Sequence, residues 1–148
     1  MGRSIRLLIV ALFGLFATGS GLAAQTTERV DRIIPFRDGG RVELKNFSGH
    51  VRITGTDRDA VVIRAVRRAI QDRLARVKLE IRESPSLIEI VANQLHRTWR
   101  DWFRSDRSDV IETDFEIDVP RDTDLTVRAF SSPVAIERVR GDHDVGTF

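Results

Sequence analysis

Cysteine is absent from all 148 residues. The chain can therefore hold no disulfide framework, and it offers no thiol on which a lipid anchor could be built behind a leader. G-x-S-x-G, H-E-x-x-H, the P-loop and the glycine-rich dinucleotide fingerprint are missing as well, so no local signature of an enzyme is present. His50, His96 and His143 are scattered, and no two have the close spacing of zinc ligands. A Ser-His-Asp site using Ser131 or Ser132 would exist only if the fold gathered it. These absences predict a non-enzymatic protein without cofactor or metal.

A clear excess of one charge is also lacking. The whole chain carries 24 Lys and Arg against 22 Asp and Glu, and removing Arg3 and Arg6 leaves a balanced remainder. Those two arginines precede the apolar run Leu7 to Ala17, with small residues following to Ala23-Ala24, the three-part layout of a secretory signal cleaved after Ala24. Thr18, Gly19, Ser20 and Gly21 interrupt the run before it reaches spanning length, which disfavours an uncleaved anchor. The expected organisation is a signal peptide at 1–24 and one domain at 25–148, exported to the periplasm, the cell surface or the medium. A balanced charge disfavours nucleic acid as a partner, and no stable membrane insertion is expected after cleavage.

What is present is a repeat. Leu44 to Ile53 read LKNFSGHVRI and Val127 to Ile136 read VRAFSSPVAI, so Phe47 answers to Phe130, Val51 to Val134 and Ile53 to Ile136. Each copy is an apolar strand end, a Phe-Ser corner and a V-x-I run with side chains at period two. A third copy begins at Asp144-Val145-Gly146-Thr147-Phe148, which places a Phe 18 residues after Phe130. That spacing suits one coil of a β-solenoid, with Phe47 and Phe130 as equivalent stacked corner residues of its core.

The remainder reads as strand and turn. Val30 to Phe36 ends at the turn Arg37-Asp38-Gly39-Gly40, and Val42 and Leu44 alternate with Glu43 and Lys45. Val61 to Val66 is rich in β-branched residues. Val77 to Ile81 and Leu87 to Val91 flank Glu83-Ser84-Pro85-Ser86 as a hairpin. In Ile111 to Val119 the apolar residues and Thr113 share one face, and Glu112, Asp114, Glu116 and Asp118 share the other. The one helical candidate, Ala65 to Leu79, has β-branched ends that favour two strands joined by a short turn around Ala69 to Ala75. The fold class is thus all-β, a β-solenoid or single-stranded β-helix-like stack of short strands with an inserted hairpin, truncated at the C-terminus.

The order of these phrases resembles the bacterial putative adhesin family of exported β-strand-repeat domains. It is carried by Gly39-Gly40-Arg41-Val42-Glu43-Leu44, by the N-x-S-G-x-V-x-I phrase at Asn46 to Ile53, by the central hairpin, by Val119-Pro120 and by the returning repeat. The likeness runs over about residues 30 to 148 and implies a solenoid-like exported domain with no catalytic residues. The second copy departs from it with Ser132-Pro133 in place of Gly49-His50.

Two regions invite functional readings. His96 to Arg107 holds both tryptophans and four arginines. Arg97, Trp99, Arg100, Trp102 and Arg104 are candidate partner-binding residues, because Trp and Arg concentrate binding energy and aromatic faces stack on sugars. The competing and favoured reading makes Trp99, Trp102 and Phe103 a lid over an open edge, with the arginines paired to Asp101, Asp106 and Asp109. The acidic row Glu112, Asp114, Glu116 and Asp118 could draw a cation, although arginines on a neighbouring strand explain it better. Asp57-Arg58-Asp59, Asp122-Thr123-Asp124 and Asp142-His143-Asp144 are expected in turns. The predicted function is an adhesin-like module that presents a surface to a cell-envelope protein or glycan. The alternative is an envelope stress-sensing or regulatory module that binds a membrane or anti-sigma-type partner.

Overall fold

The computed structural model of the chain describes residues 25–95 and 110–148. The expected signal peptide and the Trp-Arg segment, with Arg97, Trp99, Arg100, Trp102 and Arg104, lie outside them. Ten strands and one short helix follow in chain order: β1 (Gln25–Pro35), β2 (Arg41–Asn46), β3 (Val51–Thr56), β4 (Ala60–Ile70), α1 (Gln71–Arg76), β5 (Val77–Glu83), β6 (Leu87–Leu95), β7 (Glu112–Pro120), β8 (Asp124–Ala129), β9 (Val134–Glu137) and β10 (His143–Thr147). They form two five-stranded sheets, ordered β1-β4-β7-β3-β9 and β10-β8-β2-β6-β5.

The repeat is read out in the centre of each sheet. Val51 to Thr54 of β3 lie in parallel register with Val134 to Glu137 of β9, and Arg41 to Asn46 of β2 with Asp124 to Ala129 of β8. The 83-residue offset between the two copies is therefore a lateral step of one strand in each sheet. The third copy behaves the same way, since β10 pairs in parallel with β8.

Period-two alternation turns one side of every central strand inward. Leu44, Ile53, Ile63, Ile90, Phe115, Ile117, Leu125 and Val127 share a single buried cluster to which both sheets contribute. Asn46, Thr113 and Thr123 are as buried as these.

The chain is all-β as expected, but the solenoid itself is not confirmed. The sheets are open and mixed, and their parallel ladders stop short of one end: β4 runs antiparallel to β7, β1 to β4, and β5 to β6. At the hairpin the reason is simple. Only Ser84, Pro85 and Ser86 separate β5 from β6, far too few for the crossover that parallel neighbours require. The strand reading of Ala65 to Leu79 holds, with the six-residue α1 standing where a plain turn was expected. Asp142-His143-Asp144 is not a turn, because β10 starts at His143. β1 begins earlier than its apolar stretch, since Gln25 to Arg29 join the ladder to β4.

Among the described residues Arg67 is the one charged side chain that is buried. It lies opposite Glu28 of β1, donates to that carboxylate, and donates at 2.5 Å to the carbonyl of Val77. The bond to Val77 links β4, the strand next to the edge of one sheet, to β5 at the edge of the other. Removing one partner of such a buried pair is costly, because the other charge is left without compensation.

Candidate functional site

At one corner of the molecule β2 turns into β3, β8 turns into β9 and β10 ends. Phe47, Phe130 and Phe148 stand there in a row. The Phe47 and Phe130 rings stack at 5.3 Å with planes 7° apart, and those of Phe130 and Phe148 at 4.9 Å and 23°. The repeat is thus a ladder of rings, but not a core element as expected: Phe47 and Phe130 are 39% and 42% exposed. The reason is parity: Val42, Leu44 and Asn46 of β2, like Leu125, Val127 and Ala129 of β8, point inward, so the next residue, Phe47 or Phe130, falls on the outward side. The rings fall outside the inward alternation and cover one another instead.

Asn46 holds the corner from within. Its side-chain amide donates to the Thr113 carbonyl at 3.1 Å and to Ser132 Oγ at 3.3 Å, and its Oδ1 accepts the Phe47 N–H at 3.1 Å. Its own carbonyl accepts the Phe130 N–H. One buried side chain thereby ties β2, β7 and the β8–β9 corner together. Gly49 lets β7 approach, since a Cβ there would meet the Thr113 carbonyl oxygen at 2.2 Å.

The next corner along uses an asparagine too. Lys45 of β2 is in register with Val91 of β6, and two residues farther on are Phe47 and Asn93. Asn93 (φ 62°) donates its amide to the Ile111 carbonyl and accepts the Ile111 N–H at 2.8 Å. The chain that carries the Trp-Arg segment leaves β6 and rejoins β7 across this clasp, at the same corner as the phenylalanines.

The acidic row of β7 is met by arginines, as the neighbouring-strand reading expects. Arg68 reaches Asp114 at 2.6 Å and Glu112 at 3.4 Å, and Arg64 reaches Asp118 at 3.2 Å. His50 adds both its backbone N–H and its ring nitrogen to Asp114. Partial burial pulls the Asp114 carboxyl up, but Arg68 and the two His50 contacts outweigh it and hold the group below the usual carboxylate range. Asp57 is lowered by the hydrogen bond and charge of Arg121, and Asp144 by those of Arg128. Among the described residues no cluster of three or more His, Asp and Glu could hold a metal ion.

Ser132 Oγ donates to the Phe130 carbonyl at 2.8 Å, and His50 is engaged by Asp114.

No family model and no curated protein matches the chain. Among solved structures it is similar to a putative cell adhesion protein from Clostridium sporogenes. The TM-score is 0.56 at 12% identity, over 82% of this chain and 57% of that one. The likeness is one of fold alone. The chain thus spans little more than half of that neighbour's length. A putative adhesin from Bacteroides fragilis aligns over 81% of this chain and 53% of its own at 8% identity, with a TM-score of 0.43 that carries no argument. Among the described residues no helix is long and apolar enough to cross a membrane.

Neither Asn46 nor Asn93 was singled out from the sequence as a corner clasp. The signal was there: Asn46 ends β2 and Asn93 lies near the end of β6, each on a strand of the parallel ladder just before the chain changes sheets.

Proposed function

We propose that this chain is a non-enzymatic, exported, adhesin-like binding domain that presents its aromatic corner to a cell-envelope protein or glycan. The fold shared with the putative cell adhesion protein from Clostridium sporogenes over 82% of the chain carries this reading. The corner supports it, because a ladder of stacked rings is exposed there, and the candidate contacts are Arg97, Trp99, Arg100, Trp102 and Arg104. Those five residues supply the contacts in this reading: guanidinium groups for carboxylates or sulfates, and indoles for apolar sugar faces. The finer picture of the domain as coils of a stack belongs to the same proposal.

The test is binding of the purified protein to envelope glycans on an array and adhesion of protein-coated beads to intact cells. Trp99→Ala with Trp102→Ala is expected to abolish both while leaving stability within about 0.5 kcal/mol. Undiminished adhesion in that double variant would refute the assignment of the contact residues. Mass spectrometry of exported material is expected to give an N-terminus at Gln25 or within a residue or two of it, and intact Met1 to Phe148 in the inner membrane would overturn export.

A further inference from the structure

We infer that β1 is a self-complementary edge through which two copies of this chain pair about a two-fold axis centred on Val30. Among the described residues β1 borders its sheet, bonded to β4 on one side only. The side of its backbone that is free can be read from the ladder. Phe36 N–H donates to the Asp59 carbonyl, continuing the antiparallel register in which Pro35 faces Ala60. Hydrogen-bonded pairs alternate along such a ladder. The even residues Thr26, Glu28, Val30, Arg32 and Ile34 therefore point their main-chain groups at β4, while Thr27, Arg29, Asp31 and Ile33 point theirs outward. Pro35 falls on the outward side, where its missing N–H costs nothing within the sheet.

An antiparallel partner must bond odd residues to odd residues. Among the registers this allows, the one centred on Val30 spans the whole strand, Gln25 opposite Pro35 at each end, with about eight main-chain hydrogen bonds. It also places Arg29 opposite Asp31 and Glu28 opposite Arg32, each twice by symmetry. Sliding two residues in one direction sets Arg29 against Arg29, and in the other Asp31 against Asp31. Sliding four sets Glu28 against Glu28 or Arg32 against Arg32. Like charges directly opposite destabilise a pair, so the sequence of β1 favours one register and penalises its neighbours. The same charges that keep a lone edge soluble become the recognition code for a second copy. Ile33, 75% exposed, then gains Thr27 of the second copy as its cross-strand neighbour.

Arg29 and Asp31 are exposed on the outer face, so their charges can be reversed without touching the core. Sedimentation equilibrium of the purified full chain is expected to show a concentration-dependent dimer. Arg29→Asp alone and Asp31→Arg alone each set like charges opposite twice and are expected to weaken it at least about tenfold. The double variant restores the pairs and the dimer. Mixing the two single variants is expected to yield a heterodimer, since each then presents the charges the other lacks. Circular dichroism and thermal melting verify that every variant is folded. A wild-type protein that stays monomeric at about 100 μM, a dimer indifferent to both reversals, or single variants that fail to associate when mixed would each overturn the inference. None of these outcomes bears on adhesion, which is read by glycan and cell binding.

Discussion

Truncating Asn46 to alanine isolates the corner clasp. The change removes two donated hydrogen bonds and one accepted one in a fully buried setting. It leaves the Thr113 carbonyl and the Phe47 N–H without those partners, at about 1–3 kcal/mol each. A loss of roughly 2–5 kcal/mol is expected, a large part of the 5–15 kcal/mol that holds a domain of this size together. In thermal terms this is a fall in Tm of roughly 8–20 °C. Urea unfolding followed by far-UV circular dichroism measures it. Asn46→Asp sharpens the test, because it keeps the acceptor for Phe47 N–H but sets a carboxylate against the Thr113 carbonyl, so its loss should be at least as large at neutral pH. A loss below about 1 kcal/mol in the alanine variant would refute the clasp, showing that water or a shifted backbone replaces the three bonds.

Three further outcomes are expected. Phe115→Ala should cost about 3–5 kcal/mol because its ring is fully buried, whereas Phe47→Ala should cost about 1–2 kcal/mol, mostly the lost stacking with Phe130; equal losses in denaturant titrations would contradict the surface ladder. Gly49→Ala should destabilise by more than about 2 kcal/mol, since it meets both a left-handed backbone and the Thr113 carbonyl; an unchanged melting curve would reject that close approach. Asp114 is held below its unfolded value, so its stabilisation is complete above about pH 4 and is lost as pH falls through the lowered folded value. Asp114→Asn should therefore flatten the acid limb of stability below about pH 4, and acid unfolding curves that coincide with wild type would contradict the Arg68 and His50 contacts.

Much of this was legible in the chain because β-strands write their faces at period two. Ile111 to Val119 announced both its buried side and its charged side, and LKNFSGHVRI against VRAFSSPVAI announced which strands lie next to each other. The hairpin at Ser84 to Ser86 was equally plain. The handedness of the outer strands was not, since nothing in Val61 to Val66 says that β4 runs against β7. The burial of the phenylalanines was misjudged for a related reason. A repeated aromatic looks like core, but the alternation that buries Leu44 and Asn46, or Val127 and Ala129, puts the next residue, Phe47 or Phe130, on the outward side. The polar start of β1 escaped because an edge strand has only one partner and needs few apolar residues. Its charges, read alone, look like a solvated loop.

The order in which strands are laid down has a kinetic consequence. β2 and β3 emerge first of the central strands yet lie in the middle of their sheets, with partners as distant as Phe115 for Val51 and Arg128 for Lys45. Neither ladder can close until more than half the domain has been delivered. Such non-local pairing must meet the entropy of large loops before any contact rewards it, which places folding in the slow regime of roughly milliseconds to seconds. During that interval β2 and β3 have both edges bare. Their safety then rests on how soon β6 to β9 arrive to flank them.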